Sequence, residues 1–153
     1  MQTEEQTTGN RRETRYKKSD AVKDLERMAD AEARRRHPTM PYLAPRKFRD
    51  DSANSLTTCI VKYIELRGGF ASRVSNQGTF SRKLNKYIPS TAKRGLPDII
   101  ATYQGLSLHV EVKAGRDRQS EHQKAVEFAV NGAGGRYFVA HNFTEFKQWI
   151  DKL

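Results

Sequence analysis

Apolar and polar positions recur with two different periods along the chain, and the periods mark out its elements. Leu56, Ile60, Tyr63 and Ile64 fall at i, i+4, i+7 and i+8, the stripe of an amphipathic helix, which Gly68-Gly69 closes. Residues 70–74 read as a strand. Residues 97–103 and 106–113 read as two more, separated only by Gln104-Gly105, a spacing that predicts a two-residue hairpin turn. Residues 120–131 form a second helix, ended by Gly132, and residues 136–140 a fourth strand. A last helix starts near Thr144 and buries Phe146, Trp149 and Ile150. Residues 76–96 show no period and read as a long loop or insertion. The order α-β-β-β-α-β-α over residues 51–153 predicts an α/β domain of about 100 residues without internal repeats.

The pattern upstream is different. Residues 1–50 hold 13 Lys/Arg and 9 Asp/Glu with few large apolar side chains. Residues 19–36 predict a charged helix whose apolar stripe is thin: Val22, Leu25, Met28 and Ala29. It ends in Arg34-Arg35-Arg36 before His37-Pro38, where proline stops a helix. Residues 38–49, with Pro41 and Pro45, read as an irregular linker. Residues 1–50 are therefore read as a basic N-terminal arm and linker, helical or disordered. Such an arm is either solvated or laid along a phosphate backbone, and the sequence leaves both open.

Charge narrows the choice of partner. The formal net charge is +10, which implies an anionic partner, most commonly nucleic acid. The single cysteine, Cys59, excludes an internal disulfide and a Cys-rich zinc site. It lies at an apolar helix position and reads as a small buried hydrophobe. No apolar run approaches the ~18 residues of a membrane span, and no signal-peptide pattern follows Met1. The expectation is a soluble protein of the cytoplasm, without a membrane partner. The histidines His37, His109, His122 and His141 show no metal-ligand spacing, and His109 reads as a surface strand residue.

The chemistry is concentrated in Gly95-Leu-Pro-Asp98 and Val110-Glu111-Val112-Lys113. Alternation puts Leu108, Val110 and Val112 on one strand face, and His109, Glu111 and Lys113 on the other. The apolar face turns inward, so Glu111 and Lys113 share a face outside the main core. If Gln104-Gly105 is a two-residue turn, Tyr103 faces Leu106 and Asp98 faces Glu111. Directly opposed residues have Cβ atoms roughly 4.5–5.5 Å apart. Two carboxylates that close repel unless a cation lies between them or one is protonated. Oxygen ligands of this kind suit Mg²⁺ or Mn²⁺, and a carboxylate-bound divalent ion polarises a phosphodiester and acidifies its own water. Lys113 is placed to orient that water or to neutralise developing charge. The structural alternative is a surface cluster of salt bridges worth at most ~1 kcal/mol.

Between Glu65 and Asp98 there is no acid, but Arg67, Arg73, Arg82, Lys83, Lys86, Lys93 and Arg94 are all basic, with Phe80 and Tyr87 interleaved. A cationic, partly aromatic segment leading into the site can hold phosphates and stack on an exposed base. Arg73, on the first strand, is the leading single candidate for a phosphate contact.

The same residues resemble the VRR-NUC family, a branch of the PD-(D/E)xK nucleases that is itself similar to Holliday-junction resolvases. The resemblance rests on Lys93-Arg-Gly-Leu-Pro-Asp98, Glu111-Val-Lys113 and Ser120-Glu-His-Gln123. Gly69-Phe70 and Arg73-Val-Ser-Asn76 look like the family's first strand and following turn. It implies a restriction-endonuclease-like αβββαβ core with a mixed central sheet. It further implies metal held by Asp98, Glu111 and the carbonyl of Val112, with Lys113 as the catalytic lysine supported by Gln123. Ser120-x-x-Gln123 also fits a helix capping box, which asks nothing of the site. Many relatives add a glutamate on the first helix, at about Asn54 to Thr58 here, where this chain has no acid. The implied activity is metal-dependent hydrolysis of DNA, by an endonuclease acting on branched or recombination intermediates, with a homodimer and a phage or mobile-element origin by analogy. The alternative is a nuclease-fold component, such as a phage structural protein, that binds nucleic acid or joins an assembly without cutting.

Overall fold

Every helix among the described residues begins at a short polar side chain that accepts a hydrogen bond from the first turn. In the computed structural model, which describes residues 16–75 and 78–153, Ser19 caps α1 (Asp20–Arg36) and Ser52 caps α2 (Ala53–Leu66). Ser120 caps α3 (Glu121–Gly132) and Asn142 caps α4 (Phe143–Ile150). The strands are β1 (Phe70–Arg73), β2 (Thr79–Ser81), β3 (Lys86–Ile88), β4 (Ile99–Tyr103), β5 (Leu106–Val112) and β6 (Arg136–Ala140). Residues 1–15 of the expected arm, and Asn76, lie outside the described residues.

Four strands form one mixed sheet in the order β1-β4-β5-β6. β1 and β5 run antiparallel to β4, while β6 runs parallel to β5, reached through α3. The protein is thus α/β with a mixed central sheet. Strands β2 and β3 form a separate antiparallel ribbon inside the segment expected to be a loop. Three-residue strands are too short to show a period, which is why the sequence hides them.

The hairpin between β4 and β5 turns on Gln104 and Gly105, both at positive φ (49° and 78°). That is the type I′ geometry whose twist matches flanking strands. It sets the expected register, with Tyr103 opposite Leu106 and Ile99 opposite Val110. The face carrying Ile99, Ala101, Tyr103, Leu108, Val110 and Val112 is buried under α2 and α4, where Ile60, Tyr63, Phe143 and Phe146 complete the core, and α1 packs on those two helices. Helix α3 covers the opposite face beside β6 and buries only Val126.

The thin stripe of α1 is fully used. Val22 and Leu25 are completely buried in the same core cluster, and Met28 packs against it. The linker is tied down behind it: Glu26 accepts the Phe48 amide at 2.8 Å, Asp30 the Arg46 amide at 2.7 Å, and Asp50 the Phe143 amide at 3.2 Å. The change in composition near residue 50 is therefore not a break in packing. Truncating Leu25→Ala should cost about 2–5 kcal/mol in a chemical-denaturation measurement. A loss below about 0.5 kcal/mol would show that α1 is not part of the core.

The end of α4 is fastened to α2 through Asp151. Its carboxylate accepts from the Tyr63 hydroxyl at 2.6 Å, Arg67 at 3.0 Å and Lys147 at 2.6 Å. Burial alone would raise the Asp151 carboxyl, but Lys147, Tyr63 and Arg67 outweigh it and hold it below the usual carboxylate range. A depressed folded value means the stabilisation is complete above the unfolded carboxylate pKa and fades as pH falls through the folded one. Asp151→Asn should therefore lower stability at neutral pH by about 1 kcal/mol, with the gap to wild type closing in acid. Thermal melts across pH check this, and a gap independent of pH would refute it.

Candidate active site

The register places the two carboxylates. Asp98 stands one residue before β4, where its carbonyl accepts the Val74 amide at 2.8 Å and its Oδ2 accepts the Val112 amide at 2.8 Å. Continuing the β4–β5 pairing by one step brings Asp98 opposite Glu111, on the face that also carries Ile100 and His109. The sequence gives that face correctly but not its cover. Glu111 is 2% exposed and Lys113 6%, so the pair is enclosed rather than lying at the surface.

The enclosure has electrostatic consequences. Lys113 Nζ lies 3.1 Å from Glu111 Oε1 and 3.5 Å from Asp117 Oδ2. Gln123 Nε2 donates to the same Glu111 oxygen at 2.5 Å. Burial, then the neighbouring Asp98 charge, push the Glu111 carboxyl above the ordinary range against the pull of Lys113. Burial lowers Lys113, but its hydrogen bond to Glu111 and the charges of Glu111 and Asp117 outweigh that and hold it above the usual lysine value. The other carboxylate oxygen, Glu111 Oε2, is buried with no hydrogen-bond partner. An enclosed anionic oxygen without a donor is costly, and a cation is what would relieve it.

Gln123 does two jobs in one conformation. Its Oε1 accepts the Ser120 amide at 2.9 Å, and its own amide donates to Ser120 Oγ at 3.3 Å, completing the capping box. The free end of the same side-chain amide reaches Glu111. The cap and the site contact are thus simultaneous, where the sequence offered them as alternatives.

The donor set fits a hard divalent cation: two carboxylates, with the Val112 backbone between Glu111 and Lys113 already tied to Asp98. Among the described residues no three His, Cys, Asp or Glu side chains gather at metal-binding spacing, so the acidic ligands on offer are two. The first turn of α2 has no acid; its Asn54 accepts a 2.8 Å hydrogen bond from Arg73 instead.

The other expected contacts scatter. Arg73 pairs with Ile99 and projects from the face covered by α2, not from that of Asp98 and Glu111. Arg82 and Lys83 occupy the turn of the β2–β3 ribbon and Lys86 its second strand, all exposed, while Lys93 and Arg94 are exposed in the loop before Gly95. His109 is half-buried rather than a surface residue, with Nε2 3.1 Å from Ser107 Oγ and an enclosed, unpartnered Nδ1. Burial lowers its pKa. Two residues of this face escaped the sequence reading. Asp117 follows a loop of no periodic pattern, and Tyr137 enters only because β6 pairs beside β5, opposite His109. Its hydroxyl is also buried without a partner.

Compared with known proteins, the chain matches no family model, no curated protein and no solved structure. No described helix is long and apolar enough to cross a membrane.

The loop that delivers Asp98 depends on Gly95. It has φ +80°, and a Cβ there would stand 2.5 Å from the backbone carbonyl of His122 and 2.8 Å from the Gln123 amide nitrogen. Gly95→Ala should therefore destabilise by about 2 kcal/mol or more, since left-handed strain adds to a backbone clash. A melting curve indistinguishable from wild type would refute this close approach.

Proposed function

We propose that the protein is a divalent-metal-dependent deoxyribonuclease of the PD-(D/E)xK type, similar to the VRR-NUC family, that hydrolyses phosphodiester bonds at Asp98, Glu111 and Lys113. The observation that carries this reading is the buried Glu111, pressed against Asp98 and Lys113 with one oxygen left unpartnered. A cluster kept only for stability has no use for an enclosed, unsatisfied carboxylate, because such groups cost stability.

In this reading Asp98, Glu111 and the Val112 carbonyl hold Mg²⁺ or Mn²⁺, which when bound supplies charge stabilisation at the phosphate and a more acidic water. Gln123 fixes the orientation of Glu111. Lys113, enclosed and held protonated by its neighbours, keeps a positive charge where negative charge develops on the phosphate oxygens. The net charge of +10 draws in the polyanionic substrate, and Lys93 and Arg94 line the groove that Gln123 also borders. Action as a homodimer on branched DNA completes the proposal by resemblance.

The test is cleavage of supercoiled plasmid, branched DNA and single strands with Mg²⁺, with Mn²⁺ and with EDTA. Cutting should require the metal and fall by a factor on the order of 10² or more in Asp98→Ala and Lys113→Ala, while Lys113→Ala retains DNA binding. Equal cleavage by Lys113→Ala would remove that residue from the mechanism. Salt-sensitive binding without cutting under any metal would favour a non-catalytic nucleic-acid-binding component instead.

A further inference from the structure

The β2–β3 ribbon presents an unusual surface. Phe80 and Tyr87 are a direct cross-strand pair, yet both are more than half exposed, and Leu84 and Ile88 beside them are exposed as well. Exposed large apolar groups are thus concentrated in one short hairpin that also carries Arg82, Lys83 and Lys86 and no acid. Apolar rings interleaved with cations of a single sign suit a ligand that is both anionic and aromatic.

A groove beside this ribbon is linked to the carboxylate pair through one lining residue, Gln123. Tyr87, Pro89, Lys93, Arg94, His122 and Gln123 all line it, around a volume of about 470 Å³. The side-chain amide of Gln123 donates to Glu111. Tyr87 is held in position there: a Cβ on Gly78 would come within 2.4 Å of its hydroxyl, so the phenol lies directly over that glycine's backbone.

We infer that this groove takes one unpaired strand of DNA, with a base stacked on Tyr87 and its phosphates on Lys93 and Arg94, and holds that strand against Gln123, the residue that contacts Glu111. The inference rests on the nuclease reading and adds a substrate class to it. A paired duplex keeps its bases stacked inward and has none to offer Tyr87, whereas an unpaired strand exposes a ring face at every nucleotide. Its cations meet the backbone and its ring meets a base face, contacts that every nucleotide offers, so the unpaired state is what the groove recognises.

Fluorescence anisotropy with the full chain in EDTA tests this without any cleavage, using a labelled thymidine single strand and a blunt duplex of equal length. The single strand should bind about tenfold tighter than the duplex. Tyr87→Ala should weaken single-strand binding about tenfold and narrow that gap, with Tyr87→Phe restoring it, because the ring and not the hydroxyl does the stacking. Lys93→Ala with Arg94→Ala should lower the slope of log K against log salt by about 1.4, at ~0.7 per phosphate contact on a single strand. Circular dichroism checks folding, and Tyr87→Leu, which keeps bulk over Gly78 without a ring face, substitutes if Tyr87→Ala unfolds. Duplex bound as tightly as single strand, or a Tyr87 variant lacking the ring that binds single strands like wild type, would overturn the inference. Because no metal is present, metal-dependent cutting without strand preference would sink this inference alone, and strand preference without cutting would sink only the nuclease.

Discussion

A turn of two left-handed residues, Gln104 and Gly105, fixes how β4 lies on β5, and the meeting of Asp98 with Glu111 follows from it. Side chains alternate strictly along a strand, so a slip of one residue would send Asp98 to the apolar face and leave Glu111 opposite a core residue. The apolar positions enforce the same register from the other side, since Ile99, Ala101, Leu108 and Val110 are buried only in this pairing. Hydrophobic burial and turn geometry therefore agree. The carboxylate pair is placed by forces that have nothing to do with its own charge.

That placement is electrostatically unfavourable. Glu111 is out of water, beside another carboxylate, with one oxygen satisfied twice over by Lys113 and Gln123 and the other not at all. His109 Nδ1 and the Tyr137 hydroxyl add two more unpartnered polar atoms on the same sheet face. All three belong to residues on the sheet face opposite the main core. A face built only for stability would be apolar, like its opposite.

Much of this was legible in the residues themselves. The β4–β5 register, the type of most elements and the shared face of Glu111 and Lys113 follow from spacing, because turn length and strand alternation are local properties. What was not legible depends on packing between distant segments. The stripe of Val22 and Leu25 is visible in sequence, but nothing local says that α1 joins the core. The burial of Glu111 follows from where α3 lies, and the half-buried state of His109 from the same cause. The direction of Arg73 depends on the pairing of β1 with β4, which sends it toward α2. The β2–β3 ribbon has strands too short for any period, although its mix of cations and rings was plain.

The side-chain amide of Gln123 joins a helix end to a carboxylate. Fraying of the first turn of α3 would deprive Glu111 of a donor, and whatever draws Glu111 toward another partner pulls on the cap of that helix. Were a cation to bind the carboxylate pair as proposed, its binding and the local opening of α3 would share one equilibrium. A helix that buries a single side chain is held to the sheet in good part through this polar strut, so its order becomes a readout of what sits beside Asp98.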